Sequence, residues 1–230
     1  EGDQLKDLAQ ERACILMVGH LLEYHPAVVR LHELIDAGEL GNVNYIYSNR
    51  LNFGKVRTEE NALWSFAPHD VAVILRLLGE MPVQVSCAGG SYLTPGLADV
   101  TVSTLLFQSG RRAHIFVSWL NPFKEQKLVV VGEQRMAVFN DVALEDKLVL
   151  YDQHVEFQEA TPVLQIEGQQ AIALSGAEPL RCECEHFLEC VATRRSPLTD
   201  AESGVRVLRV LEACQASLEQ DGRPVSLDEH

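Results

Sequence analysis

The sequence predicts an α+β fold in which one large, open and mostly antiparallel sheet carries helices on one face. Residues 83–157 are rich in strand signals joined by short segments, and Ser109-Gly110 is the clearest turn, as expected for sequential antiparallel strands. The chain then closes with two helical segments, so strands and helices are segregated along the sequence and do not alternate. One helix and one strand precede this domain.

The first twenty residues are expected to form a helix over 3–12 and a short strand over 15–18. Residues 15–18 are a fully apolar run that ends at Gly19, which is typical of a buried parallel strand. Such a strand needs parallel neighbours, and no βαβ series stands before it. We therefore interpret residues 1–20 as the end of a truncated preceding domain, and residues 21–230 as the domain that contains the large sheet.

Spacing predicts a helix and then a strand at the start of the second domain. Pro26 suits the first position of a helix, and Gly38 or Gly41 would end it. Residues 43–53 follow with side chains that alternate in character, as they do in a strand with two different faces.

The rest of the domain is predicted from apolar patterning and from glycine and proline positions. A helix is expected from about Pro68 to Leu78, because Gly79 follows it and proline favours a first turn. Residues 158–179 are expected to be a mostly irregular connection. Further strands are expected near 83–92, 99–108, 112–120, 127–132, 135–140 and 147–152, and closing helices at about 180–194 and 201–220.

Composition and charge limit the class of partner. The chain has 230 residues, 47% of them hydrophobic, and no apolar run approaches the ~20 residues of a membrane span. Its formal net charge of −14 argues against binding to nucleic acid or to an anionic membrane, because both need clustered cations. The first four residues have neither the basic region nor the apolar core of a signal peptide, so a cytoplasmic location is expected.

Six cysteines raise the question of a metal site. None forms a CxxC pair, and we expect reduced thiols. Cys182, Cys184, His186 and Cys190 suggest zinc, but on a helix the outer two are about 12 Å apart at 1.5 Å per residue. Both cannot ligate one ion at about 2.3 Å, so we predict no metal and a packing role.

His69 is the first candidate for chemistry. A helix that begins at Pro68 places His69 in its first turn, where the positive end of the helix dipole disfavours the imidazolium form. Neutral imidazole is the form that can accept a proton. The alternative is that His69 and Asp70 only cap the helix, and physical grounds alone favour this alternative slightly.

A second candidate group is cationic. Arg50 and Asn52 share a strand face, and Lys55 and Arg57 follow in the next loop. An arginine can bind a carboxylate or a phosphate through two hydrogen bonds, so this group predicts an anion-binding site. The alternative is a solvated strand edge with protective charges, which explains Lys55 and Arg57 well but explains Arg50 less well.

The connection at 19–26 is a third candidate. Ligands of open α/β sheets bind beyond the carboxyl ends of strands, and this connection follows the strand predicted at 15–18. His20, Tyr24 and His25 are therefore expected to line a cleft between the preceding domain and this one. The alternative is an ordinary connecting loop with His25 near the helix start.

Several segments resemble the C-terminal two thirds of the Gfo/Idh/MocA oxidoreductases, a family of NAD(P)-dependent sugar and cyclitol dehydrogenases. The similarity is greatest to the branch that oxidises UDP-N-acetyl-glucosaminuronic acid at C3. The segments are GHLLEYHPAV at 19–28, IYSNRLNFGKVR at 46–57, NALWSFAPHD at 61–70 and GGSYL at 89–93, with EHFLEC, PLTDAESG and RVLRVLEA within 178–219.

The resemblance implies a site and a cofactor. It makes residues 1–20 the C-terminal remnant of a Rossmann domain that binds NAD or NADP, and residues 21–230 the substrate-binding and oligomerisation domain. The family's catalytic histidine falls on His69, and Ser65 stands where many members have an aspartate. Cofactor contacts are expected at Gly19, His20 and His25. Substrate contacts are expected at Tyr24, Arg50, Asn52, Lys55, Arg57, Asn61 and Trp64.

The expected function is hydride transfer from a nucleotide-sugar hydroxyl to nicotinamide. The family's Glu-Lys-Pro motif, whose lysine assists proton transfer, is absent from the sequence, so the chain alone is expected to be inactive. A homodimer or homotetramer through the open sheet face is also expected. Two alternatives remain open, a non-catalytic sugar-binding or assembly module and a metal-dependent hydrolase.

Overall fold

A computed structural model describes residues 1–227. The helices are α1 (Gly2–Glu11), α2 (Pro26–Asp36), α3 (Ala62–Leu78), α4 (Pro179–Thr193) and α5 (Ala201–Leu218), with a 3-10 turn at Leu21–Tyr24. The strands are β1 (Val43–Phe53), β2 (Pro82–Gly90), β3 (Val100–Phe107), β4 (Arg112–Ser118), β5 (Leu120–Gly132), β6 (Met136–Asn140), β7 (Leu148–Gln158), β8 (Thr161–Ala171) and β9 (Val225–Ser226).

All these strands form one sheet in the order β8-β7-β6-β5-β1-β4-β3-β2-β9. The predicted α+β class is confirmed, since every neighbouring pair is antiparallel except β1 and β4. That one parallel pair follows from the crossover through α3, β2 and β3, which returns the chain beside β1. Strand β1 therefore lies at the centre of the sheet.

The core lies between one face of the sheet and the helices. Ile46, Ile115 and Val130 come from three neighbouring strands and are at most 1% exposed. Helix α3 supplies Ile74 and helix α5 supplies Val210, both fully buried. At about 25 cal/mol per Å² of apolar surface, this layer is the main source of stability. No helix within residues 1–227 is both long enough and apolar enough to span a bilayer.

Helix α3 begins six residues earlier than predicted. Asn61 caps it, and its Oδ1 accepts a hydrogen bond from the backbone N–H of Trp64 at 3.2 Å. Pro68 therefore lies inside the helix and does not start it. The prediction was wrong because an asparagine cap outweighed the preference of proline for a first turn, although Pro68 leaves the carbonyl of Trp64 without its usual helical donor.

Residues 158–179 are not a mostly irregular connection. Strands β7 and β8 pair as a hairpin around Glu159 and Ala160, and Glu159 adopts a left-handed φ of 54°. Pro162 and Gly168 look like strand breakers in the sequence. In the structure Pro162 lies on an edge strand, where no ladder donor is needed, and Gly168 lies at a register shift.

The strand predicted at 15–18 is also not a sheet strand within the described residues. This segment makes one antiparallel bridge, between Met17 and Asp200, and the N–H of Val18 donates to the carbonyl of Thr199 at 2.8 Å. Helix α1 forms nearly as predicted, but none of its residues is buried. Lys6 anchors it to Glu202 of α5 with a 3.0 Å ion pair.

Candidate active site

Two histidines meet on the helical side of the sheet. The ring of His69, in the second turn of α3, lies edge-on to the ring of His20 with 6.2 Å between ring centres. The Nδ1 atom of His69 and the Nε2 atom of His20 are buried and have no hydrogen-bond partner. Buried polar atoms of this kind usually have partners, so the pair presents unused hydrogen-bonding capacity.

Two further unpartnered atoms belong to Ser65 and Glu183. The Oγ of Ser65 is buried, and Ser65 lies one helical turn before His69 on the same face of α3. Glu183, on α4, is 7% exposed and its Oε1 has no partner. Sequence reasoning missed Glu183, although it shares a helix face with the buried Cys190 seven residues later.

An ion pair between Arg50 and Asp70 stands beside the histidines. The Nε of Arg50 donates to Oδ2 of Asp70 at 2.7 Å, and its Nη2 donates to Oδ1 at 3.2 Å. The hydroxyl of Ser48 donates to the same Oδ1 at 2.6 Å. The side chains of Arg50 and Asp70 are only 13% and 3% exposed. The guanidinium predicted to bind a ligand anion is therefore already paired with a protein carboxylate.

Burial and the ion pair set the charge of His69. Burial lowers its pKa below the usual 6.5, the cation of Arg50 lowers it further, and the carboxylate of Asp70 partly opposes both. The neutral imidazole expected from the sequence thus has a different cause from the one predicted. The helix dipole contributes little at the second turn.

Tyr24 and His25 lie in the same connection but do not face the histidine pair. The hydroxyl of Tyr24 shares a 3.0 Å hydrogen bond with the Oγ1 of Thr199. The Nδ1 of His25 accepts from the N–H of Ala27 and caps α2, and its ring packs against Phe139 at 4.8 Å between centres. Both side chains are buried and engaged in structural contacts.

Asn61 and Trp64 are held by one glutamine of α5. The amide of Asn61 donates to Oε1 of Gln215 at 2.8 Å, and the indole N–H of Trp64 donates to the same atom at 3.1 Å. This contact joins the start of α3 to α5. Both residues predicted to touch substrate therefore have a direct structural role.

The remaining predicted substrate residues lie at the end of β1 and in the loop after it. Asn52 is half-buried, whereas Lys55 and Arg57 are exposed. The Nε of Arg57 pairs with Glu60 at 3.1 Å. The loop that carries Lys55 and Arg57 connects the end of β1 to the start of α3.

Of the cysteine and histidine residues of α4, Cys190 and His186 pack against each other, whereas Cys184 is exposed and the packing role predicted for it is wrong. Cys190 and the Nε2 of His186 are 3.4 Å apart, and the same nitrogen accepts from the N–H of Leu198 at 3.0 Å. Across residues 1–227, no three histidine, cysteine or acidic side chains converge in a way that could hold a metal ion.

Fold and site together define an α+β domain that holds a neutral histidine pair between an open sheet and its helices. Residues 28–138 match the family model of the GFO/IDH/MocA C-terminal domain. The resemblance noted in the sequence is thereby confirmed.

Two relatives extend the comparison. A UDP-N-acetylglucosamine 3-dehydrogenase of Acidithiobacillus ferrooxidans is 28% identical over 211 residues, which are 90% of this chain and 64% of that protein. A scyllo-inositol 2-dehydrogenase (NAD(+)) of Bacillus subtilis is 24% identical over 240 residues, which are 99% of this chain and 67% of that protein. The chain thus spans about two thirds of the length of these relatives.

Solved structures share the fold. UDP-N-acetylglucosamine 3-dehydrogenase GnnA from Acidithiobacillus ferrooxidans superposes with a TM-score of 0.79 at 24% identity, over 95% of this chain and 67% of that one. An inositol dehydrogenase homolog from Azotobacter vinelandii, complexed with NADH and myo-inositol, gives 0.79 at 17% identity, over 98% and 68%.

We predict that the buried His20 makes the protein less stable in acid. Burial first, and then the charge of His69, lower the pKa of His20 from 6.5 to about 4. Between pH 6.5 and 4 the imidazole of His20 binds a proton in the unfolded chain but not in the folded chain. The free energy of unfolding therefore falls as the pH falls. The free energy of unfolding should drop by about 3 kcal/mol from this residue between pH 6.5 and 4, at 1.36 kcal/mol per pKa unit.

Urea denaturation across this pH range measures the effect. His20→Gln should flatten the pH dependence, whereas His114→Gln, at an exposed position of β4, should leave it unchanged. An equally steep loss of stability in His20→Gln would show that His20 is not the group responsible.

Proposed function

We propose that this chain is the sugar-binding domain of a nicotinamide-dependent oxidoreductase that oxidises a hydroxyl group of a nucleotide sugar. The observation that carries the proposal is His69, a desolvated and neutral imidazole whose buried Nδ1 has no protein partner. The match of residues 28–138 to the GFO/IDH/MocA C-terminal domain and the similarity to a UDP-N-acetylglucosamine 3-dehydrogenase support the substrate class.

His69 would accept the proton of the reacting hydroxyl. A base acts best when it is unprotonated at working pH, and burial together with Arg50 favours that form. The hydroxyl of Ser65, one turn away on the same helix face, can hydrogen-bond the same sugar and orient it. The carbon then becomes a carbonyl, and the hydroxyl proton resides on the imidazole.

The described residues fit one end of a nicotinamide cofactor. Gly19 is exposed, and the next residue, His20, has an unpartnered nitrogen and adjoins His69. Within residues 1–227 there is no glycine-rich turn of the kind that binds a dinucleotide pyrophosphate. The bound cofactor, NAD or NADP, supplies the hydride acceptor. We propose no cofactor contact for His25, because it caps α2 and its ring packs against Phe139.

We also propose that residues 1–20 pack with the cofactor-binding domain of the whole enzyme. Helix α1 has no buried residue, and its Leu5 and Leu8 are 58% and 46% exposed. The segment at 15–18 has most of its backbone hydrogen bonds unmade by the described residues. Both features suit elements that complete another sheet and its helical layer.

The ion pair between Arg50 and Asp70 favours an uncharged hexosamine over the corresponding uronic acid as the sugar that is oxidised. A uronic acid needs a cation for its carboxylate, and Arg50 is already neutralised by Asp70. We therefore propose oxidation at C3 of a UDP-N-acetyl-hexosamine in preference to the corresponding uronic acid. Lys55 and Arg57, exposed in the loop after β1, would contact the diphosphate.

The reaction can be tested with the protein expressed from its complete reading frame. We expect UDP-N-acetylglucosamine and NAD⁺ to give a 3-keto product and NADH, followed by absorbance and mass spectrometry. His69→Ala should lower kcat about a hundredfold or more with a smaller change in KM, because proton transfer is lost while binding remains.

Three outcomes would change the proposal. Turnover of His69→Ala at the wild-type rate would remove the base from the mechanism. Faster turnover of the uronic acid than of the hexosamine would indicate that Arg50 binds the carboxylate of the substrate. Tight binding of the nucleotide sugar without any turnover would favour the non-catalytic binding module.

The uncovered face of the sheet is proposed to bind a second copy of the chain. Its outward positions include Tyr45, Val102 and Phe116, and the first two are 39% and 49% exposed. Among the outward positions that the structure describes on β1, β3, β4, β5 and β6, Glu125 is the only acidic residue. In a chain with a net charge of −14, a largely apolar face that carries Arg112 and Lys127 but a single acidic residue suits self-association.

Light scattering tests the dimer. Val102→Glu should convert a dimer or tetramer into a smaller species, because it places an acidic charge on the apolar face. Leu144→Glu, at a position that is 98% exposed in the loop before β7, should leave the mass unchanged. A monomeric wild-type protein would contradict the proposal.

A further inference from the structure

Glu183 is a buried carboxylate that no part of the mechanism above uses. Helix α4 packs against the 3-10 turn at Leu21–Tyr24 and directs Glu183 into the interior, where its side chain is 7% exposed. Its Oε1 has no hydrogen-bond partner, and burial raises its pKa. Burying a carboxylate without a partner costs stability, so its presence at this position calls for a ligand.

The position of the carboxylate indicates which ligand it meets. A Cβ atom added to Gly19 would lie 3.9 Å from Oε1 of Glu183 and would meet no other atom within 4 Å. Gly19 thus leaves an open approach to the carboxylate. The next residue, His20, is 6% exposed with an unpartnered Nε2, and its ring contacts His69. The open approach to Glu183 at Gly19 is therefore adjacent in the chain to His20, which contacts the proposed base.

The chemistry of the group narrows the ligand further. An ionised carboxylate only accepts hydrogen bonds. None of the ion pairs formed by the described residues involves Glu183, so no arginine or lysine of this chain neutralises it. The ligand must therefore bring an N–H or O–H donor, and a positive charge on the ligand would add to the attraction.

On this geometry, and resting on the proposed function, we propose that Glu183 binds the nicotinamide end of the cofactor. Its Oε1 accepts a hydrogen bond from the carboxamide NH₂ group, and its charge stabilises the positive ring of the oxidised cofactor. The reduced ring is uncharged and keeps only the hydrogen bond. Glu183 is therefore a binding residue that favours NAD⁺ over NADH and is distinct from the proton acceptor His69.

Two variants test separately the charge of Glu183 and the open approach to it past Gly19. Glu183→Gln keeps the shape and a carbonyl acceptor but removes the charge. Gly19→Ala places a methyl group over Oε1, and its single contact at 3.9 Å is an ordinary van der Waals distance, so the fold should be retained. Glu185→Gln, on the exposed side of the same helix, is the control.

The measurement is equilibrium binding of NAD⁺ and of NADH to the protein from its complete reading frame, by calorimetry and by fluorescence. Glu183→Gln should weaken NAD⁺ about tenfold and NADH less than about threefold, because both lose the charge-assisted part of the hydrogen bond but only NAD⁺ also loses the attraction between the carboxylate and its positive ring. Gly19→Ala should weaken both cofactors. Glu185→Gln should change neither, and thermal unfolding should confirm that every variant is folded.

Equal losses for the two cofactors, or no loss, in a folded Glu183→Gln protein would overturn the inference. A loss confined to the nucleotide sugar would overturn it too, by assigning Glu183 to the substrate. Failure of the wild-type protein to bind either cofactor would instead defeat the proposed function, and the inference with it.

Discussion

The ion pair between Arg50 and Asp70 joins the central strand of the sheet to the helix that carries the candidate base. Two contacts, at 2.7 and 3.2 Å, hold the guanidinium against the carboxylate, and the hydroxyl of Ser48 completes the set. Both charged side chains are buried, so loss of either would leave the other uncompensated at a cost of about 3–5 kcal/mol. The pair thus helps to fix the position of α3 against β1. His69 is placed with it, because it precedes Asp70 in the same helix.

The sheet that carries Arg50 separates two surfaces, for which we propose different roles. On the helical side, desolvation and the cation of Arg50 keep His69 neutral, while His20 and Glu183 extend the unpartnered polar atoms towards Gly19. The opposite face of the sheet carries almost no acidic side chains, and it is the face proposed to bind a second copy of the chain. The residues proposed for catalysis and the surface proposed for assembly therefore lie on opposite sides of one sheet.

Local patterns predicted the strands from β2 to β6 and both closing helices, because turns and periodicity are encoded locally. Local patterns failed where the limits of an element depend on its tertiary contacts. The start of α3 depends on the cap by Asn61, and strand β8 tolerates Pro162 because it lies at an edge. His69 and Arg50 could be selected from the sequence, but the partner of Arg50 lies twenty residues away on another element. Glu183 was missed in the sequence because its burial depends on how α4 packs against the 3-10 turn at Leu21–Tyr24.

The central claim is that burial and the cation of Arg50 hold His69 neutral against the opposing charge of Asp70, and an NMR titration of the His69 imidazole tests it most directly. The wild-type pKa should lie below 6.5, and it should fall further in Asp70→Asn because the carboxylate that raises it is gone. Arg50→Gln should raise it, since a nearby cation is removed. A wild-type pKa at or above 6.5, or a pKa that neither substitution changes in a folded protein, would contradict the account.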